Sequence, residues 1–264
     1  MLILKPEILL QMEDRKYKVV IIGAGISGLS TGLSCLKTSA SPDDRILIVE
    51  KQPVPGGCIA TYAREGYRFD TVQIIPDVSD LLSFFGIETE MVTFGRNYAR
   101  LFIAKTKTKT ATVFPILSGI REFEDFLRSS FPEDESAIKR FFRYSVSMHA
   151  ELKHLKTEPR FYEFPGILMR CPKIIANSGK TYKEYLERFR FKNHELKEIL
   201  NTFSTFSGLS ANRCAALLTV GAMITTLKGS YRTRKGFIEF PQLLRKAFVE
   251  RGGQLMLNTS VQCT

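Results

Sequence analysis

The sequence is poor in the residues that most often mark catalysis. It has three histidines, His149, His154 and His194, in 264 residues. The first two stand five apart on an expected helix, which puts them on different faces, and the third stands alone. Neither a metal centre nor a histidine base is expected. The five cysteines, Cys35, Cys58, Cys171, Cys214 and Cys263, form no close pair. That argues against a zinc site and a disulfide framework, and for a reducing, cytoplasmic setting. Ser27 lacks the Gly-x-Ser-x-Gly surroundings of an activated nucleophile, so no catalytic residue can be named. Long apolar runs are also missing. The longest, Cys214 to Leu227, would span about 21 Å as a helix at ~1.5 Å per residue, short of a hydrocarbon core. The first ten residues lack the basic start and apolar centre of a signal peptide. Residues 1–15 are therefore expected to be a short extension lying on the domain or on a membrane. No repeat or low-complexity tract is visible.

What is present is positive charge and a glycine pattern. The formal net charge is +11, with 44% hydrophobic and 25% charged residues, the composition of a soluble or peripheral globular protein with an acidic surface among its partners. The basic residues are dispersed, as in Lys105-Thr106-Lys107-Thr108-Lys109 and Arg232-Thr233-Arg234-Lys235, and no nucleic-acid motif accompanies them. Anionic lipid is the favoured partner and nucleic acid is not expected. Tyr17 to Ile22 is apolar on both faces, as in a strand covered above and below. Gly23-Ala24-Gly25-Ile26-Ser27-Gly28 follows, and Ile26, Leu29, Leu33 and Leu36 have helical spacing. A G-x-G-x-x-G turn between strand and helix suits a dinucleotide. Gly23 makes the tight turn, Gly25 admits the pyrophosphate, Gly28 lets the helix lie close, and the helix N-terminus attracts the phosphates.

The second strand, Arg45 to Val49, ends in Glu50, 22 residues beyond Gly28. A carboxylate there accepts the ribose hydroxyls and repels a 2′-phosphate, which favours FAD or NAD over NADP. Then come Pro53-Val54-Pro55-Gly56-Gly57-Cys58 and Gly66-Tyr67-Arg68-Phe69-Asp70-Thr71. Near the other end stand Gly229-Ser230-Tyr231, Lys235-Gly236-Phe237, Gly252-Gly253-Gln254 and Leu257-Asn258-Thr259-Ser260-Val261. Together these resemble the flavin-dependent phytoene desaturase and carotenoid isomerase family, relatives of amine oxidases, with the acidic strand end, Pro-Gly-Gly loop and Phe-Asp turn in that order. The sequence departs from the pattern at Cys58, where relatives often carry a basic residue, and at Val72-Gln73, where a glycine is usual.

The resemblance implies an α/β fold: a Rossmann-like FAD-binding domain with an inserted mixed, largely helical substrate domain, C-terminally incomplete. The first FAD segment is placed at residues 16–85, the substrate or cap domain at 86–230 and the return segment at 231–264. FAD is the implied cofactor, held by Gly23, Ala24, Gly25, Ser27, Gly28, Glu50, Lys51, Gly56, Gly57, Cys58 and Val261, with no metal. The implied activity is desaturation or isomerisation of a polyene or other apolar isoprenoid at a membrane surface, with a C-terminal half or another subunit completing the site. The alternative is a catalytically silent, truncated nucleotide-binding relative. Helices are expected at 77–85, on both sides of the break at 131–135, at 181–191 and 195–206, and through the apolar segment up to Leu227. Phe123, Phe126, Phe131, Phe141, Phe142, Phe161, Phe164, Phe203 and Phe206 suit either a core or an apolar tunnel.

Overall fold

The protein is described from a computed structural model, which covers residues 2–3, 17–39, 41, 43–71, 77–93, 95–105, 110–155 and 164–263. The chain divides into two compact units, one formed by Met1–Thr93 with Tyr231–Thr264 and the other by Phe94–Ser230.

The first unit opens with β1 (Leu2–Ile3), β2 (Val19–Ile22), α1 (Ile26–Thr38) and β3 (Ile46–Val49). A hairpin of β4 (Thr61–Arg64) and β5 (Tyr67–Asp70) follows, then α2 (Ser79–Phe84) and β6 (Met91–Thr93). The second unit begins with a long hairpin, β7 (Asn97–Lys105) and β8 (Thr110–Leu117), and continues through α3 (Ile120–Ser130), α4 (Glu135–Glu151), α5 (Phe164–Arg170), α6 (Pro172–Asn177), α7 (Tyr182–Glu187), α8 (His194–Asn201) and α9 (Ala216–Lys228). The chain returns to the first unit as β9 (Tyr231–Thr233), α10 (Glu239–Glu250), β10 (Gln254–Met256) and β11 (Gln262–Cys263).

The first unit's parallel sheet has the order β10-β3-β2. β3 is central and all four of its residues are buried. β2 corrects the expectation of a strand covered on both faces: its burial alternates, with Val20 48% and Ile22 58% exposed. The reason is its place in the sheet. β2 is an edge strand here, and Val19 and Ile21 alone turn to the core of Leu29, Leu33, Ile48, Leu244 and Phe248 contributed by α1, β3 and α10. Gly32 of α1 lies against Phe248, whose ring would sit 2.7 Å from an added Cβ. Separately, β1 pairs with β11 and β6 with β9, both antiparallel. The expected Phe-Asp turn is a strand instead. Phe69 and Asp70 lie in β5, and the turn falls at Glu65 and Gly66, both at positive φ (52° and 82°).

In the second unit, α9 runs through the core with Val220, Met223, Ile224 and Leu227 fully buried. The phenylalanines are packing residues. Phe141 meets Phe142 and Phe189 edge to face, each at 5.2 Å, and Phe123 meets Phe142 and Phe203 at 6.0 Å. Phe126 and Phe206 pack on the margin of this cluster, while Phe161 and the Phe164 side chain lie outside the described residues, as do Val72-Gln73 and residues 106–109. The break between α3 and α4 is a 3₁₀ turn, Pro132–Asp134. Among the described residues, no helix is long and apolar enough to cross a membrane.

Candidate dinucleotide site

The site is built where three loops of the first unit meet. Gly23 N–H donates to Val49 O at 2.7 Å, which ties the turn after β2 to the end of β3. The chain then enters α1 at Gly25. Gly28, one turn on, could be no other residue without movement of the backbone, because an added Cβ would lie 1.9 Å from Gly23 O. The Pro-Gly-Gly loop comes up against this turn. Gly56 N–H donates to Ala24 O at 2.9 Å, Gly25 and Gly56 form a parallel bridge, and a Cβ on Gly57 would lie 3.2 Å from Gly25 Cα.

Glu50 joins the parts. Its side chain is 7% exposed; Oε2 accepts from Ala24 N–H at 2.7 Å and Oε1 from Gln52 N–H at 2.9 Å. Its own backbone is clamped by the return segment, since Glu50 N–H donates to Met256 O and Thr259 N–H to Glu50 O, both at 2.8 Å. A carboxylate has roughly four lone-pair sites. Two are engaged, one on each oxygen, and one on each is left for a pair of hydroxyls.

The surroundings fit a pyrophosphate. α1 has no side-chain cap at Gly25 and no acidic residue in its first turn, so the amides of that turn have no side-chain acceptor of their own, Glu50 being engaged one residue ahead at Ala24 N–H. The turn is open in front: an added Cβ meets nothing within 4 Å at Gly23 and only Gly57 Cα, at 3.9 Å, at Gly25. Beside Gly57 lies a cavity of about 750 Å³, walled by Gln52–Pro55, Ala60–Ala63, Lys235, Ile238 and Gln242, within the size range of small-molecule sites. Its far rim is held by the Thr61 hydroxyl donating to Asp70 Oδ1.

Gly23, Ala24, Gly25, Glu50 and Gly56 are thus bonded into one cluster on which Gly57 packs, and Ser27 and Gly28 form the first turn of α1. Lys51 and Cys58 are exposed at its flanks, with the Cys58 carbonyl accepting from Thr71 Oγ1 at 2.7 Å. Val261 stands apart: it is half-buried, precedes β11 rather than lying in a strand, and no hydrogen bond ties it to the glycine loops among the described residues. Ile238 and Gln242 were not singled out from the sequence, because nothing local marks them, and Lys235 stood there only as part of the Lys235-Gly236-Phe237 motif; all three reach the cavity through the return of the chain. Among the described residues, no three His, Cys, Asp or Glu side chains gather as a metal site would require.

Residues 21–78 match the NAD(P)-binding Rossmann-like domain family. Over most of its length the chain is similar to the inactive all-trans-retinol 13,14-reductase of Danio rerio (22% identity, 92% of this chain and 41% of the relative). It is similar in the same way to the 4,4′-diapophytoene desaturase of Staphylococcus aureus (21% identity, 93% and 49%). The chain thus carries a Rossmann-like domain and is similar in sequence to reductases and desaturases of apolar polyenes and isoprenoids only at this low identity. The fold agrees: an oxidoreductase structure from Methanosarcina mazei superposes with a TM-score of 0.63 at 14% identity, over 91% of this chain and 51% of that one. The chain spans about half the length of the curated relatives it matches.

Proposed function

We propose that the chain binds FAD on the Gly23–Gly28 turn and serves hydride transfer to or from a polyene or other apolar isoprenoid. The observation that carries the cofactor reading is the buried Glu50 carboxylate. It is fixed by Ala24 and Gln52 N–H groups with one acceptor site open on each oxygen, beside a helix N-terminus that has no side-chain cap. Glu50 would take the ribose hydroxyls. The amides around Ala24, Gly25, Ser27 and Gly28 would face the pyrophosphate, and Gly56 and Gly57 would close on it from the opposite loop. Lys51, Cys58 and Val261 would flank the cofactor. Walls of the 750 Å³ cavity would hold part of the remainder and exclude water from it.

When bound, FAD supplies the hydride chemistry, and the protein's task is to position and to shield. This accords with the thin inventory of acids and bases. The substrate class rests on likeness, since retinol and diapophytoene are named for the relatives and both are apolar. The net charge of +11 suits delivery from an anionic membrane surface. A second reading, cofactor binding without turnover, is favoured by the Danio rerio relative, whose name declares it inactive. Titration with FAD, followed by quenching of flavin fluorescence, tests the binding shared by both readings. Glu50→Gln should weaken it by about 1–3 kcal/mol, the range for losing charge-assisted hydrogen bonds. Unchanged affinity would remove Glu50 from the site. Flavin reduction or reoxidation with a polyene then separates enzyme from silent binder.

A further inference from the structure

A second cavity, of about 460 Å³, lies within the helical unit, and its polar side chains point to one kind of ligand. Arg140, Arg143, Tyr144 and Ser147 fall at i, i+3, i+4 and i+7 on α4 and so share one face. Lys173 joins them from α6 and Arg188 from the residue after α7. Four cations therefore line one hollow open to solvent, with Arg140, Arg143 and Arg188 exposed and Arg140 Nη2 donating to Phe189 O at 3.4 Å. Among the described residues, Lys173 alone of the four has a carboxylate near it, Glu151 at 3.3 Å, and that carboxylate already accepts from the Lys173 and Ile174 backbone N–H groups. Among the described residues Arg143 meets no carboxylate and the Ser147 hydroxyl has no hydrogen-bond partner.

Tyr144 completes the set. Arg188 Nη1 donates to its phenol oxygen at 2.8 Å while the guanidinium lies 4.2 Å over its ring. Asn177 Nδ2 donates to the same oxygen at 3.0 Å and to Lys173 O at 2.7 Å. A carbonyl can only accept, which fixes the amide nitrogen on that side, and a guanidinium can only donate. Both lone pairs of the phenol oxygen are therefore taken, and its proton is left to be given away. The cavity thus offers guanidinium, ammonium and hydroxyl donors, and among the described residues its three arginines have no carboxylate against them.

We propose that this cavity binds a phosphate-bearing anion, a phosphomonoester or diphosphate group. Such a group is an acceptor on every oxygen, carries more than one negative charge, and matches guanidinium forks two bonds at a time. A carboxylate, with two oxygens and one charge, would leave most of these donors unused. The same chemistry is found in free phosphorylated metabolites and in the headgroup of an acidic phospholipid.

Calorimetric titration of the whole chain with inorganic pyrophosphate, at low and at physiological salt, examines the first source; co-sedimentation with vesicles of phosphatidylcholine, with and without phosphatidic acid, examines the second. Pyrophosphate binding that weakens with salt, and roughly tenfold or more in Arg143→Gln and in Arg188→Gln, with the exposed Lys183→Gln unchanged, supports a site for free phosphate compounds. Phosphatidic-acid-dependent sedimentation lost in the same two variants supports a headgroup site. Circular dichroism checks that the variants fold. Binding that both arginine variants leave intact would place the anion elsewhere and overturn the proposal, as would the absence of pyrophosphate and vesicle binding at low salt.

Discussion

At the scale of single residues, the glycines of the turn separate into those that serve the fold and those that leave room for a ligand. An alanine at Gly28 drives its methyl into Gly23 O, a backbone atom that cannot swing away. Gly28→Ala should therefore cost about 3 kcal/mol of stability or more, the upper range for overpacking, and urea denaturation without cofactor measures it. Gly25→Ala meets only Gly57 Cα at ordinary contact distance. It should leave the urea midpoint nearly unchanged and abolish FAD binding, because the methyl occupies the phosphates' path. Equal loss of stability in the two variants would show that Gly25 is there for packing. His149 carries a different prediction. It is half-buried, with Nε2 3.1 Å from Thr225 Oγ1 and Nδ1 3.5 Å from Lys228 Nζ; burial first, and the Lys228 charge second, hold its pKa below the ordinary value of 6.5. The unfolded chain takes up the proton at about that ordinary value while the folded chain resists it, so this contribution is present above pH ~6.5 and is lost as pH falls through the lower folded value. Urea melts of wild type and His149→Gln should show wild type losing more stability between neutral and mildly acidic pH. Parallel pH profiles would show that His149 titrates as it does in the unfolded chain.

Among the elements, those with a strong local signal were legible in the sequence and those fixed by distant partners were not. α1 was expected from Ile26 to Leu36 and runs to Thr38; α3 and α4 fall either side of the break at Pro132. Acidic residues at such a break suit the first turn of the helix that follows. Asp134 does something else. Only 2% exposed, it accepts from Lys192 N–H at 2.8 and 3.0 Å and from Asn193 N–H at 2.7 Å, which straps the segment ahead of α8 to the start of α4. No local pattern could show a bond to a residue 58 positions away. Asp134→Ala leaves two backbone donors without their acceptor and should cost about 3 kcal/mol, read from thermal or urea unfolding; a loss within error would mean that water replaces the carboxylate. The β7–β8 hairpin has no clean alternation to mark it, since Phe102, 66% exposed, is as apolar as its neighbours Leu101 and Ile103, which pack on the core. In Glu50 the motif showed which residue stands at the strand end. It could not show that the same carboxylate binds Ala24, which depends on how β3 lies beside β2.

For the whole molecule, the way the second unit enters the first leads to a construction that can be tested. The helical unit leaves the chain after Thr93 and rejoins it at Tyr231, and these two residues are direct cross-strand partners in the β6–β9 ladder. Antiparallel strands whose ends stand opposite one another can be closed by a two-residue Asn-Gly turn, whose backbone twist matches that of the strands. Replacing residues 94–230 by Asn-Gly would therefore convert β6 and β9 into an ordinary hairpin without stretching either. Gly23, Glu50, Gly56 and the cavity beside Gly57 all belong to the first unit, as does its core around Leu33, Ile48 and Phe248. The shortened protein should keep the circular dichroism of a folded α/β domain and bind FAD within roughly tenfold of the full chain, since no contact proposed for the cofactor has been removed. A well-folded deletion that has lost FAD binding altogether would mean that residues 94–230 supply essential contacts, and the assignment of the cofactor site to the first unit would have to be given up.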